Sequence, residues 1–421
     1  MRIAMLSVHT CPLAVLGGKQ TGGMNVYVRE LARELGRQGV GVDVFTRSQD
    51  EHEPHLKHDL GYGNRVFHIP AGPERPLARK EHFIHLPEFV GGVRLASALL
   101  DTHYDLIHSH YWLSGVVAHE LKRFWGVPIV HMSHTLGVMK NRVALTPEER
   151  DTDLRMTMER KIHGWADRIV AATPAEQAQL QWLMRVDTRK VAIIPPGVDV
   201  ARFRPMDKAA ARTRIGVPLN TPLLLFVGRP EPLKGGDTLL RAVKLLTECG
   251  ALPPNAQLAI IGGDLNGSPT DEMERLQTLR NDLGLHDVVA FLGKRGQDTL
   301  PYYYNAADVV VMPSHYESFG MVALEAMACG TPVVASEVGG LAFLVQHNET
   351  GYLVPDQDPL ALQNRLCELL TNPLVAERMS RKAAEHAAQY SWAVIAGRMI
   401  DLYEAVLQAQ TSPRPELEVQ P

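Results

Sequence analysis

Cysteine is scarce and scattered: Cys11, Cys249, Cys329 and Cys367 are the four in 421 residues. None sits in a C-x-x-C pair or beside a histidine pair at zinc spacing, so neither a disulfide framework nor a structural zinc organises the fold. No apolar run approaches the ~18 residues needed to cross a bilayer. The opening segment Met1–His9 is too short for a signal-peptide core and reads as a buried strand. Excess basic charge is missing as well. Lys and Arg number 43 against 47 Asp and Glu, a formal net charge of -4, which argues against a nucleic-acid partner. What is present is an ordinary globular composition, 45% hydrophobic, unlike that of a disordered chain. At ~150 residues per domain the length predicts two or three domains with a core that needs no staples. The expectation is a reduced, cytoplasmic, two-domain protein, with a homodimer left open.

Short apolar runs alternate with longer amphipathic stretches. In the first half Arg2–Val8, Val40–Thr46, Val66–Pro70, Asp105–His108, Pro128–His131, Arg168–Ala172 and Val191–Ile194 read as strands. In the second, Leu223–Val227, Gln257–Ile261, Val288–Phe291, Val309–Met312 and Pro332–Ala335 do. Helical patterns lie between them, among them Thr238–Cys249, Asp271–Leu283, Met321–Cys329 and Leu360–Leu370. Alternation of this kind predicts βαβ units, hence an α/β fold of two Rossmann-like parallel sheets. The pattern pauses at Ile194-Pro195-Pro196-Gly197-Val198, which reads as a hinge, with Gly197 free to take an unusual backbone angle. The expected units are 1–196, 197–390, a last helix over 391–410 that returns to the first unit, and a disordered tail, 411–421.

Open α/β sheets bind ligands at the carboxyl ends of their strands. After the first strand comes Gly17-Gly18-Lys19-Gln20-Thr21-Gly22-Gly23-Met24-Asn25, directly before a helix. Such a loop offers amides and positive potential to a phosphate, although a merely flexible loop explains the glycines equally well. It is neither a P-loop nor G-x-G-x-x-G, which disfavours a dinucleotide oxidoreductase. His108-Ser109-His110-Tyr111-Trp112 and His131-Met132-Ser133-His134-Thr135 follow two central strands. Without a carboxylate or cysteine at partner spacing, these histidines suit a polyhydroxylated substrate better than a metal. Arg229 and Lys234 flank a Gly-rich turn and suit a diphosphate, one as a fork and the other as a point charge. The richest segment runs from Pro313 to Val334. It places Glu317 in a loop and Glu325 about one turn inside a helix, with Ser318, Phe319, Gly320 and Met321 between them.

Glu317 to Glu325, followed by Cys-Gly-Thr-Pro-Val, resembles the E-x7-E signature of the retaining glycosyltransferases of family 4, or group 1, which have the GT-B fold. The resemblance covers the chain up to its tail. Within the family, His9-Thr10, Gly22–Tyr27, His108–Gly115 and His134-Thr135-Leu136 are most similar to the inositol-phosphate enzymes of mycothiol biosynthesis. It implies two domains facing across a cleft and a UDP-sugar donor, with no cofactor and no metal. Arg229, Lys234 and the Gly23 amide would neutralise the departing diphosphate. Glu325 would hold the ribose and the backbone near Arg295 the uracil, while Glu317 and the amides from Ser318 to Met321 would hold the sugar. His134 would lie near the reacting centre. Asn25, Tyr111, Thr135, Arg155 and either Arg79 or Lys80 would bind a phosphorylated acceptor. Gly137 departs toward the H-S-L-G of sucrose-phosphate synthases, whereas Gly22-Gly23-Met24 and Glu317-Ser318-Phe319-Gly320 depart from those enzymes. The acceptor is therefore left open between inositol phosphate and fructose 6-phosphate, with a non-catalytic sugar-nucleotide-binding protein as the remote alternative.

Overall fold

The computed structural model describes residues 1–14, 22–144, 147, 150–253, 255–263 and 271–411. The glycine loop before Gly22 and the tail after Thr411 lie outside them. Eight strands form the first sheet: β1 (Arg2–Leu6), β2 (Gly41–Arg47), β3 (Leu56–Lys57), β4 (Arg65–Ile69), β5 (Leu106–His110), β6 (Ile129–Met132), β7 (Arg168–Ala171) and β8 (Val191–Ile193), in the order β3-β4-β2-β1-β5-β6-β7-β8. Six form the second: β9 (Leu223–Val227), β10 (Gln257–Ile261), β11 (Val289–Gly293), β12 (Val309–Met312), β13 (Val333–Ser336) and β14 (Gly351–Val354), in the order β11-β10-β9-β12-β13-β14. All pairings are parallel except β3 with β4. Helices cover both faces, so the central strands are buried on both sides. In β1, Ile3 and Met5 enter one core while Ala4 and Leu6 enter another.

Two chain crossings join the sheets, and they pair with each other. Val198 N–H donates to Tyr390 O at 2.8 Å, and Trp392 N–H donates to Val198 O at 3.3 Å. Gly197 does not take the expected unusual backbone angle, since it is not among the positive-φ glycines. Glycine is required there because a Cβ would lie 2.6 Å from the Trp392 ring. The final helix, Trp392–Thr411, buries Ile395, Met399, Tyr403 and Val406 in the same cluster as Leu31 and Leu35 of the helix Gly23–Arg37. Among the described residues no helix is long and apolar enough to cross a membrane.

Candidate active site

β9 ends at Val227, and the loop after it folds back through a 3-10 turn, Pro232–Lys234. Gly235 follows with φ +66°, and a Cβ there would lie 1.9 Å from the Pro313 carbonyl oxygen. Only glycine allows this loop to lie against the one leaving β12. His315 N–H donates to Leu233 O at 2.9 Å and seals that contact. Lys234 Nζ consequently reaches Glu317 Oε2 at 2.5 Å. Arg229 pairs with Glu231 at 2.9 Å. Gly320, at φ +102°, starts the helix Met321–Ala328, whose first amides have no partner within the helix. Ser318 and the buried Phe319 lead into that turn. The helix Gly23–Arg37 closes the other side. A Cβ on Gly23 would lie 3.2 Å from Met321 Sδ, and one on Gly22 would lie 3.9 Å from Arg229 Nε. The amino end of a first-half helix thus faces the cations and the helix start of the second half.

Glu325 lies deeper. Tyr304 Oη donates to its Oε2 at 2.8 Å, and Gln297 Nε2 approaches Oε1 at 3.4 Å. Gln297 Oε1 in turn accepts from Arg29 at 2.6 Å and from Arg202 at 3.1 Å, one arginine from each side of the crossing. Arg295 donates to the Tyr303 hydroxyl at 3.0 Å, one residue before Tyr304. Burial raises the Glu325 carboxyl from 4.5 to about 7. Between those values the folded chain keeps a proton that the unfolded chain has released, so stability falls as pH rises and the penalty is complete above about 7. Glu325→Gln is therefore expected to gain up to about 3 kcal/mol over the wild type at about pH 8, with no gain at about pH 4. Thermal melts across that range check this, and a difference independent of pH would contradict it.

The carboxyl ends of β5 and β6 carry the histidine clusters. Tyr111 at φ +73° and His134 at φ +59° both occupy the left-handed region without being glycine. Strain of this kind costs ~1–3 kcal/mol and concentrates at functional sites. His134 Nε2 lies 3.0 Å from His110 Nδ1, and burial pushes the His134 imidazole down to about 3. The Arg155 guanidinium lies 4.7 Å from the Tyr111 ring centroid. Arg155 is 1% exposed and fully engaged: it donates to Glu159, to Asp151 and to both oxygens of Thr135. Asn25 is similarly engaged, accepting from Gly22 N–H and donating to Thr10 and Cys11 O. Both residues brace the site's walls. Arg79 is half-buried and close enough to His9 to help lower its pKa, after burial itself. Lys80, next to it, is exposed. Among the described residues, no cluster of three or more His, Cys, Asp or Glu is arranged to hold a metal ion.

Residues 21–202 match Glycosyltransferase Family 4, and residues 207–386 match Glycosyl transferases group 1. The D-inositol 3-phosphate glycosyltransferase of Saccharomonospora viridis is 42% identical over 409 residues, covering 97% of this chain and 95% of that one. The chain belongs to the family 4, group 1 glycosyltransferases. Among solved structures, the sucrose-phosphate synthase of Thermosynechococcus elongatus superposes on this glycosyltransferase with a TM-score of 0.88 at 37% identity, covering 97% and 99% of the two chains. WaaG, a glycosyltransferase involved in lipopolysaccharide biosynthesis, shares the fold alone, with a TM-score of 0.68 at 18% identity over 95% and 99%. The fold is GT-B, as the E-x7-E resemblance implied.

Sequence reasoning missed several residues of this glycosyltransferase's cleft. His9 packs at a tilt against Tyr111 with centroids 4.5 Å apart, and His82 meets His9 edge-on at 6.4 Å. Both are buried, and His9 Nδ1 has no partner among the described residues. Gln297, Arg29, Arg202 and Tyr304 around Glu325 were also missed. No local pattern marks them, because Arg202, Gln297 and Tyr304 are scattered along the second half and Arg29 joins them only through the interdomain contact.

Proposed function

We propose that the enzyme is a retaining hexosyltransferase that moves a hexosyl group from a UDP-sugar to a small phosphorylated polyol of the inositol-phosphate kind. The observation that carries this reading is the Lys234–Glu317 contact, held at the strand ends beside Arg229 and opposite Gly23 of the other half. It gives the cleft a cation pair for a departing diphosphate and a carboxylate beside it for the sugar. Glu325 takes the ribose hydroxyls, the backbone near Arg295 takes the base, and the amides from Ser318 to Met321 take sugar or phosphate oxygens. At the other end Arg79, with Tyr111 and Thr135, meets the acceptor phosphate, and His134 stands by the reacting carbon. Arg155 and Asn25 act by holding Thr135, Tyr111 and the helix start in place. The acceptor hydroxyl attacks on the face that the diphosphate leaves and passes its proton to the departing diphosphate, with no covalent intermediate on the enzyme. Fixed cations in a closed, dry cleft stabilise the leaving group without a metal. Closure about the paired crossings brings the reactants together.

The inositol-phosphate acceptor is supported by the name of the 42% identical relative. Fructose 6-phosphate is the second reading, favoured by the 37% likeness to the sucrose-phosphate synthase and by Gly137. Gly137 N–H donates to both Glu159 oxygens, and a Cβ there would press on Arg155 Nε at 3.2 Å. A product screen crossing UDP-N-acetylglucosamine and UDP-glucose with inositol phosphate and fructose 6-phosphate decides between them. Turnover is expected with inositol phosphate, undiminished by a metal chelator, giving an α-linked product by NMR. A β-linked product would overturn retention, and loss of rate in chelator would overturn metal independence.

A further inference from the structure

Behind His134 runs a series of buried polar groups that the transfer described above does not use. His110 Nδ1 lies 3.0 Å from His134 Nε2. The His110 ring lies against His108, centroids 4.2 Å apart, and His108 Nδ1 meets the Tyr403 hydroxyl at 2.6 Å. Tyr403 comes from the final helix, so the series spans almost the whole chain. Tyr27 closes over it, with its ring 5.6 Å from His110 and 5.0 Å from His134. His108 and His110 are both 0% exposed, and Nε2 of each lacks a partner among the described residues. An unpartnered buried polar atom costs about 1–3 kcal/mol. Apolar side chains would fill these places in β5 at less cost.

Burial keeps the imidazoles neutral: His108 and His134 fall to about 3, and His110 falls well below its ordinary value. A neutral imidazole has one donor and one acceptor nitrogen. The two facing nitrogens therefore share a single proton, and the tautomer of one ring dictates that of the other. An orphaned N–H is rarer in protein interiors than an orphaned acceptor. That preference leaves His110 Nε2 bare, so its Nδ1–H donates to His134 Nε2. His134 then carries its own proton on Nδ1, the nitrogen that His110 leaves free.

We propose that His110 is a positioning residue for the transfer: by donating to His134 Nε2 it fixes that ring's orientation and tautomer, so that His134 meets the donor sugar as an Nδ1–H donor. The Tyr403–His108 pair braces His110 from behind. This inference rests on the placement of His134 beside the reacting carbon.

The test uses the full-length enzyme and a UDP-sugar assay. His110→Leu is expected to lower kcat about 30-fold, with the donor KM changed less than about threefold. His110→Asn keeps an amide N–H near the place of Nδ1 and is expected to recover to within about fivefold of the wild type. His110→Gln carries its amide one bond further out and should remain as slow as His110→Leu. Nitrogen-15 NMR of the wild type is expected to show His134 protonated on Nδ1, and His110→Leu to show a mixture of tautomers. Three results overturn the proposal: normal kcat in His110→Leu, equal rates for the Asn and Gln variants, or a wild-type His134 protonated on Nε2. His134→Ala separates the two levels of the argument. If it turns over normally, the placement of His134 fails, whereas the NMR result still judges the His110 contact. If it is inactive while His110→Leu is normal, the positioning role alone fails.

Discussion

Lys234→Ala is expected to lower turnover about 10³-fold, or ~4 kcal/mol of transition-state stabilisation, while the protein stays folded. The two halves of that expectation come from the same contact. Lys234 and Glu317 lie 2.5 Å apart with side chains 23% and 17% exposed, near enough to water for the pair to add little to stability. Pairs that water still reaches are worth roughly 0–1 kcal/mol, so the melting temperature should move by only a few degrees. The chemistry is far more sensitive. As the glycosidic bond breaks, negative charge collects on the leaving diphosphate, and a preorganised cation there acts mainly in the transition state. Most of the loss should therefore fall on kcat. Near-normal turnover with UDP-sugar would remove the diphosphate assignment, and an unfolded variant would show that the pair is a structural one.

Arg79→Met is expected to lower kcat/KM for the phosphorylated acceptor about 10²-fold, and Lys80→Met less than about threefold, in line with ~1.5–3 kcal/mol for a hydrogen bond to a charged group. The sequence left the two basic residues undivided, and the structure separates them. Arg79, at the start of the short helix Arg79–His85, is half-buried and near enough to His9 to help lower its pKa, and Lys80 is exposed to solvent. A cycle with the dephosphorylated acceptor makes the test specific. The wild type should lose a comparable factor on that acceptor, and Arg79→Met should lose little more, because the charge it served is gone. Equal sensitivity of Arg79→Met to both acceptors would place the arginine elsewhere in the reaction.

Legibility followed locality. β9, β10 and β12 are unbroken Val, Ile and Leu-rich runs, and they occupy the residues expected of them. β3 went unseen because two residues on an antiparallel edge carry no pattern. The helix Pro373–Ala388 went unseen because its buried face is small, with Met379, Ala383 and Ala387. The site divides in the same way. Lys234 and Glu317 belong to contiguous motifs with their own glycine turns, so residue type and spacing reveal them. The surroundings of Glu325 do not, since Arg29 and Gln297 are 268 positions apart and meet only across the cleft. The strained backbones of Tyr111 and His134 were equally silent, because nothing in a tyrosine or a histidine announces a left-handed conformation.

The pairing of Val198 with Tyr390 and Trp392 bears on how the chain can be divided. A cut after residue 196 does not yield two self-sufficient fragments. The shorter-numbered piece would lack the final helix, leaving Leu31, Leu35 and neighbouring apolar side chains uncovered. The other piece would carry that helix with Tyr403 and Met399 bared. Expressed alone, both are expected to aggregate. Expressed together, they can reassemble, because the return segment belongs to one lobe by sequence and to the other by packing.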